Sequence, residues 1–387
     1  MNKSFIYPIL FFTFLIISAN GYISINDRER FHNQVKHPYS LKTPLCPCKE
    51  KALCQPITGE SLKDRKEFYV FTVNQSNYVN YDWSVITTLA VFYAEPIGQE
   101  LCVAHENRAR VVYAVYYPIT QLANQTYKQQ WIEDQVELVK NNFLDGINID
   151  FESSITKNHP LESALLTGLV AETTVALKSV NKDYQISVDI PYSPNCISGR
   201  CYDWMGLSQA TDFLVTMNYD LFPWTWPQPC MGLANSPIGP VVQGMLDFFK
   251  LGISADNLVA AFPWYAYVYP CANSTDLNTV DCYFPNCNST YIPTQSFSEI
   301  DAILSDRSIP TSGELWNEEY ASPYFNMLVN DYLYQVWYDN QQSIELKVSV
   351  CKKYHLRGVA AWTMDFIDYQ NQVQVELMWN ALKSFTQ

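Results

Sequence analysis

The segment Asp145–Glu152, which reads DGINIDFE, alternates polar and apolar residues and predicts a buried β-strand. Successive side chains of a strand point to opposite faces, so the apolar residues at 147, 149 and 151 share one face, whereas Asn148, Asp150 and Glu152 share the other. The apolar face predicts packing against helices. Carboxylates on an interior face are costly unless they are paired or hydrogen-bonded. The three polar residues therefore indicate a functional site.

The pattern around this segment repeats along the chain as short apolar runs that alternate with amphipathic ones, which is typical of strand-then-helix units. The candidate strands are Phe68–Val73, Val85–Tyr93, Arg110–Tyr117, Gly146–Glu152, Gln185–Ile190, Phe213–Tyr219, Leu258–Trp264 and Gly358–Thr363. The clearest helical patterns are Trp131–Asn142, Leu161–Val180, Val241–Lys250, Ser343–Tyr354 and Val373–Leu382. Eight such units predict an α/β fold, a closed (β/α)8 TIM barrel, with its active site where the strands end.

The rival fold is a doubly wound open sheet. It is disfavoured because none of the 13 glycines forms a G-x-G, so the dinucleotide fingerprint is absent. A P-loop and a G-x-S-x-G elbow are absent too. We expect residues 44–387 to form the catalytic barrel, interrupted after the seventh strand by a small inserted subdomain over about 268–334.

Composition limits the partners of the protein. Of its 387 residues, 48% are hydrophobic and 17% are charged, which predicts a globular chain with a well-buried core. The formal charge is −14, from 25 basic and 39 acidic residues, so no basic footprint for nucleic acid or anionic lipid is present. We expect no nucleic-acid partner, and a monomer.

The N-terminal residues 1–21 contain the apolar run Phe5–Ile17 followed by small residues, which predicts a cleaved secretory signal. A membrane anchor is the alternative, but about 20 apolar residues are needed to span a bilayer. No later stretch is expected to span one. A polar segment, 22–43, precedes the barrel.

Four N-x-S/T triplets are candidate glycosylation sites, at Asn74, Asn124, Asn273 and Asn288. The 11 cysteines, an odd number in an oxidising compartment, leave at least one thiol free or paired between chains. Three local clusters, at 46–54, 196–201 and 271–287, predict loop disulfides of undetermined connectivity.

The polar residues allow other interpretations. One is a solvated edge strand with its polar residues outside. It is disfavoured because the residues on the other face, at 147, 149 and 151, are all apolar. A Mg²⁺ or Ca²⁺ site is conceivable from oxygen ligands. Zinc is disfavoured because no C-x-x-C occurs and the five histidines are scattered. We expect no metal and no cofactor.

The sequence resembles the family-18 glycoside hydrolases, whose fourth-strand signature D-x-x-D-x-D-x-E is matched by Asp145, Asp150 and Glu152, with Asn148 replacing the middle aspartate. The resemblance spans Cys46 to about Leu382. Further motifs that support it are Leu45–Cys48, Tyr81–Thr88, Ser312–Trp316 and Gln335–Asn340.

The spacing of the two acids constrains the chemistry that this resemblance implies. Asp150 and Glu152 approach a ligand from one side, whereas ordinary glycosidase carboxylates flank the sugar ring. With Glu152 as the acid, the nucleophile must come from elsewhere, and a 2-acetamido carbonyl of the substrate can supply it. Asp150 would then orient the amide and stabilise the developing oxazolinium charge.

The resemblance also implies substrate-binding roles at the ends of other strands. Tyr219 is expected to hydrogen-bond the acetamido oxygen, with Met217 and Asp220 lining the same subsite, and Trp362 is expected to form the floor beneath the attacked sugar. Tyr338 is expected to reach the site from the insertion. Asp145 and Asn148 are expected to contribute to substrate binding.

The resemblance thus implies a retaining, substrate-assisted glycosidase that cleaves GlcNAc-β-1,4-GlcNAc in the chitobiose core of N-glycans and in small chito-oligosaccharides, releasing reducing-end GlcNAc. Its partners would be GlcNAc-containing oligosaccharides, and its location the lysosome or, alternatively, the extracellular space. Two alternatives stay open: a chitinase-like lectin without turnover, and a secreted endo-chitinase.

Overall fold

The computed structural model describes residues 45–58, 65–93, 95–221, 230–272, 274–284 and 292–386. The predicted signal 1–21 and the polar segment 22–43 therefore lie outside the described residues. Eight parallel strands close into a barrel, which confirms the predicted TIM barrel. Numbered along the chain, these strands are β1 Glu67–Thr72, β2 Thr88–Val91, β3 Arg110–Val115, β4 Gly146–Ile149, β5 Gln185–Pro191, β6 Phe213–Met217, β8 Leu258–Pro263 and β15 Gly358–Trp362. Around the barrel their order is β1-β15-β8-β6-β5-β4-β3-β2.

The five predicted helices are present, and the described residues contain three shorter ones that the sequence did not predict. The helices are α1 Gln99–Glu106, α2 Gln125–Asn141, α3 Pro160–Val180, α4 Trp204–Ala210, α5 Ile238–Lys250, α6 Phe297–Ser305, α7 Gln341–Lys353 and α8 Gln372–Lys383. α2 begins earlier than predicted because the Asn124 side chain accepts a hydrogen bond from the Tyr127 N–H at 3.1 Å and caps the helix.

The strand that carries the acidic segment is shorter than predicted. β4 ends at Ile149, so Phe151 and Glu152 belong to the loop that follows it. Its start needs a glycine: Gly146 has φ +147°, and a Cβ there would lie 1.8 Å from the Gln185 carbonyl oxygen on β5.

Two apolar layers cover the two faces of the barrel wall. The outward residues Ile147 and Ile149 are fully buried in one cluster with Leu166 and Leu169 of α3. Inside, aromatic residues such as Tyr69 and neighbouring side chains of β1, β6 and β15 form a second cluster. The outward faces of the strands pack against the helices. The inner faces carry aromatic rings together with buried polar groups such as Asn148 and Asp189.

α3 is long and apolar enough to pass, by length and composition alone, as a membrane span. This differs from the expectation that no segment beyond the N-terminus would do so. In the structure it is a helix of the barrel, because Leu166, Leu169 and Leu177 pack into the core beside β4.

The insertion follows β8, the seventh barrel strand, as predicted. A five-stranded antiparallel sheet has the order β11-β9-β14-β13-β12, and α6 precedes its third strand in the chain. The new strands are β9 Tyr265–Cys271, β11 Thr294–Ser296, β12 Leu315–Asn317, β13 Ser322–Val329 and β14 Tyr332–Trp337. A two-stranded ladder joins β7 Cys230–Met231 to β10 Tyr283–Phe284. The five-stranded sheet runs from Tyr265 to Trp337, a few residues beyond each end of the predicted range 268–334.

Disulfides form within the predicted clusters and also between one cluster and α1. The pairs are Cys46–Cys54, Cys48–Cys102, Cys196–Cys201 and Cys271–Cys282. Cys230 is also disulfide-bonded. Among the described cysteines Cys351 is free, and it is buried.

The N-terminal disulfide loop is held to the base of the barrel by a buried ion pair. His105 Nε2 lies 2.9 Å from Asp145 Oδ2, and Nδ1 lies 2.7 Å from the Leu53 carbonyl oxygen. Both partners are acceptors, so the doubly protonated imidazolium satisfies both contacts. Burial lowers the pKa of His105, but the hydrogen bond and charge of Asp145, together with the Leu53 carbonyl, outweigh burial and raise it.

We expect the His105–Asp145 pair to contribute more to the free energy of unfolding at acidic pH than at alkaline pH. Because the folded pKa of His105 is raised, its contribution is present below about pH 6.5, the unfolded value, and is lost as pH rises through the folded value. We expect His105→Gln to lower the free energy of unfolding by about 2 kcal/mol at pH 5 and by less at pH 8, measured by urea denaturation. His159→Gln, at an exposed histidine, is the control. An equal loss at both pH values would contradict the assignment.

Candidate active site

The polar residues of the acidic segment lie at increasing height in the mouth of the barrel. Asn148 is fully buried on β4, and Asp150 just past the strand is 7% exposed. The Asp150 N–H donates to the Val115 carbonyl oxygen at 3.0 Å, which continues the parallel pairing to β3. The Glu152 side chain, in the loop, is 25% exposed. Of the three residues, Glu152 is therefore the most accessible to a ligand.

Asn148 holds a hydrogen-bond network inside the barrel. Its Nδ2 donates to Asp189 Oδ2 at 2.5 Å, and its Oδ1 accepts from Ser187 Oγ at 2.7 Å. The Tyr69 hydroxyl lies 3.2 Å from that same Ser187 Oγ. Burial, and then the negative charge of Asp189, raise the pKa of Tyr69 well above its usual value, so its phenol is neutral. The amide of Asn148 is buried and engaged in this network, so its part in substrate binding stays a prediction.

Asp189 is a residue of the site that the sequence analysis missed. The register pairs Asn148 with Ser187 and Ile149 with Val188, so one further step sets Asp150 beside Asp189. The signal was present, because β5 alternates polar Ser187 and Asp189 with apolar residues. The same alternation that singled out β4 would have found it.

Asp145 lies at the opposite end of the barrel, before β4 begins. Its Oδ1 accepts from the Ile57 N–H at 2.6 Å, and its Oδ2 accepts from the Val111 N–H at 2.7 Å and contacts His105. Asp150 is five residues further along, about 16 Å at the rise of an extended strand. The predicted role of Asp145 in substrate binding is therefore wrong; its carboxylate anchors the N-terminal loop.

Glu152 forms an ion pair that the sequence did not reveal. Arg200 Nη1 donates to Glu152 Oε2 at 2.9 Å, with the two side chains 11% and 25% exposed. Arg200 lies in the loop between β5 and α4, which the Cys196–Cys201 disulfide closes. No local pattern signals a contact between residues 48 positions apart.

Tyr219 and its neighbours follow β6 on the same face of the barrel. Tyr219 is 5% exposed and stacks on Trp362, with ring centroids 6.3 Å apart. Asp220 accepts hydrogen bonds from the hydroxyls of Tyr265 and Tyr267, the latter at 2.6 Å. Met217, at the end of β6, belongs to the same buried cluster. The structure therefore brings the predicted Met217, Tyr219 and Asp220 together with Trp362.

Trp362 ends β15 at the centre of this aromatic group. Its ring meets Phe71 and Phe92 edge to face, at centroid distances of 5.3 and 5.0 Å. Contacts from β1 and from the end of β2 fix the plane of the indole, which is 9% exposed. The ring has the apolar face that suits the C–H surface of a pyranose.

Tyr338 is not part of this group, so its predicted role in substrate binding is wrong. It is 2% exposed, and its hydroxyl donates to Glu314 Oε2 at 2.5 Å. Its ring packs with Phe297 and Phe325 in a separate cluster beneath α6. Alternation past the end of β14 turns Trp337 towards the barrel-side cluster and Tyr338 away from it.

Two of the predicted glycosylation sites, Asn273 and Asn288, lie outside the described residues. Of the other predicted glycosylation sites, Asn124 is exposed and Asn74 is half-buried. Among the described residues, the one close group of potential metal ligands is Cys46, Cys48 and Cys54, and disulfides occupy all three thiols.

The geometry defines what the site can do. An accessible carboxyl, Glu152, follows a buried carboxylate, Asp150, just past the end of β4, and buried aromatic side chains at the ends of β6 and β15 lie at the same end of the barrel. Such a pair can deliver a proton and stabilise a positive charge from one side of a bound ring. The two-carboxylate mechanism of glycosidases also requires a carboxylate on the opposite side of the ring, which this pair does not provide.

Comparisons with known proteins show which family the chain resembles. Residues 117–366 match Glycosyl hydrolases family 18. "Probable di-N-acetylchitobiase 1" of Dictyostelium discoideum is 42% identical over 89% of this chain and 94% of its own length. Di-N-acetylchitobiase of Mus musculus is 37% identical over 87% of this chain and 93% of its own.

Solved structures show the same fold at low sequence identity. A class V chitinase from Nicotiana tobaccum superposes with a TM-score of 0.67 at 14% identity, covering 83% of this chain and 99% of its own. The barrel, the acidic fourth strand and these matches lead to one conclusion: the chain belongs to family 18 of the glycosyl hydrolases and is a glycosidase.

Proposed function

We propose that this glycosidase hydrolyses GlcNAc-β-1,4-GlcNAc bonds in the chitobiose core of N-glycans and in small chito-oligosaccharides, and releases the reducing-end GlcNAc. The observation that carries the proposal is the placement of Asp150 and Glu152 just past the end of β4, at the same end of the parallel barrel as Tyr219 and Trp362. The di-N-acetylchitobiases, which match over most of the chain, support this substrate class.

The proposed reaction uses the substrate's own amide. Glu152 donates a proton to the glycosidic oxygen while the 2-acetamido carbonyl oxygen attacks C1 from the opposite face, so the bond to the leaving sugar breaks and an oxazolinium ion forms. Water then attacks C1 and gives its proton to Glu152. The oxazolinium ring opens, and the product sugar retains its configuration at C1. Two inversions at C1 account for the retention.

The remaining residues divide the work of holding the reacting sugar. Asp150 balances the positive charge of the oxazolinium ion at short range, which is the largest kind of contribution that a preorganised site makes. Tyr219 donates to the acetamido oxygen, and Met217 and Asp220 line the same subsite. Trp362 stacks against the apolar face of the ring.

We further propose that the protein is a glycosylated monomer of the lysosome, with secretion as the alternative. Support comes from the disulfides, which persist in oxidising compartments, and from the exposure of Asn124. The apolar run at the N-terminus supports entry into the secretory pathway.

Substitution of the acid tests the mechanism. Glu152→Gln keeps the size of the side chain but removes the transferable proton, so we expect kcat on di-N-acetylchitobiose to fall by about 10²-fold or more. The melting temperature and the affinity for GlcNAc oligomers should stay close to wild type. Glu133→Gln, at an exposed acid of α2, is the matched control and should stay fully active.

Two outcomes would overturn this assignment. A folded Glu152→Gln protein with near-wild-type turnover would show that another group donates the proton. Wild-type protein that binds GlcNAc oligomers and never turns them over would make the chain a lectin.

The end of the oligomer that is attacked can be read directly. With chitotetraose labelled at its reducing end, we expect labelled GlcNAc and unlabelled trimer as the first products in mass spectrometry. Labelled dimer as the main early product would instead indicate endo-chitinase action.

A further inference from the structure

The proposed acid Glu152 is paired with a permanently charged guanidinium. Arg200 Nη1 donates to Glu152 Oε2 at 2.9 Å in a partly buried position. A guanidinium stays protonated at every working pH, so it favours the ionised form of a neighbouring carboxyl. A group that must be protonated to start the reaction thus has a partner that favours its deprotonated state.

Hydrogen bonds between the two loops hold Arg200 and Glu152 next to each other. The Cys201 N–H donates to the Ile155 carbonyl oxygen at 2.9 Å, and Ser154 Oγ donates to the Gly199 carbonyl oxygen at 3.2 Å. These bonds join the loop that carries Arg200 to the loop that carries Glu152. Gly199, at φ +75°, permits the approach, because a Cβ there would lie 2.2 Å from Ser154 Oγ.

Among the described residues, the titratable groups that act on Tyr202, next to this pair, are Arg200, Glu152, Asp150 and Tyr116. Asp150 follows β4, Tyr116 follows β3, and Tyr202 lies just past the disulfide loop, where its hydroxyl donates to the Phe151 carbonyl oxygen at 3.2 Å. Burial raises the pKa of Tyr202, the charge of Arg200 lowers it, and the charges of Glu152 and Asp150 raise it. Tyr202 is therefore neutral, and Arg200 opposes the two carboxylates.

We propose that Arg200 is a positioning residue for Glu152, which stabilises the carboxylate left after proton transfer to the leaving sugar and thereby confines activity to acidic pH. The proposal rests on the proposed role of Glu152 as the acid. In the ground state the guanidinium aims the carboxyl and makes its proton easier to transfer. As the proton leaves, the negative charge develops within hydrogen-bond distance of a positive one.

If Arg200 has this role, its removal should slow the reaction at acidic pH and extend activity to higher pH. Activity must fall as pH rises through the pKa of the acid in the free enzyme, which sets the basic limb of the kcat/KM profile. Because an opposite charge lowers the pKa of a carboxyl, removing Arg200 should move that limb upward while slowing the reaction at acidic pH.

The experiment is a kcat/KM pH profile on di-N-acetylchitobiose for a set of folded variants. For Arg200→Gln we expect the basic limb to move upward by about one pH unit and kcat on the acidic plateau to fall about tenfold or more. Arg200→Lys retains the charge and should keep the limb near wild type. Lys157→Gln removes an exposed charge from the Glu152 loop and is the control, with no change expected.

Gly199→Ala keeps every charge and tests the geometry, also if Arg200→Gln fails to fold. Alanine is strained at φ +75°, and its Cβ displaces Ser154 Oγ and so disturbs a bond that joins the two loops; the limb should therefore move in the same direction by a smaller amount. Unchanged limbs in these variants, with kcat lowered equally at all pH values, would overturn the proposal and leave Arg200 a structural role. An active Glu152→Gln protein would instead refute the proposed role of Glu152 as the acid, so the two failures are distinguishable.

Discussion

The cost of holding negative charge inside an aromatic barrel is the constraint on which the site depends. Asp150 and Asp189 are both buried, on neighbouring strands, and each must be stabilised by groups that the barrel supplies. Asn148 is neutral and donates to Asp189, which an ionised acid at that position could not do. The amide therefore lowers the number of buried charges and gives one of them a donor.

The site is graded in depth as a consequence. Below, Asn148 is closed to solvent, and above it Asp150 can face a ligand without meeting bulk water. Glu152, past the strand, is the most accessible of the three. In the proposed mechanism both acids act from one side of the sugar ring, and the substrate's own amide serves the opposite face. The stacked rings of Trp362 and Tyr219 would be the floor of that subsite.

The repeated strand-then-helix pattern was enough to predict the barrel, and the alternation of the acidic segment singled out Asp150 and Glu152, because strand periodicity and strand ends are local properties. Asp189 carried the same signal and was overlooked. The errors come from long-range geometry: Asp145 belongs to the motif but lies at the other end of the strand, and Tyr338 turns away past the end of β14. Arg200 meets Glu152 only because a disulfide loop folds back onto the barrel mouth.

The measurement that tests the account most directly compares initial rates of hydrolysis of di-N-acetylchitobiose and of its fully deacetylated dimer under identical acidic conditions. If the substrate's amide is the nucleophile, the acetylated dimer is cleaved and the deacetylated dimer is not hydrolysed at a detectable rate. Hydrolysis of the deacetylated dimer at a comparable rate would contradict the account, because a protein group would then have to attack C1.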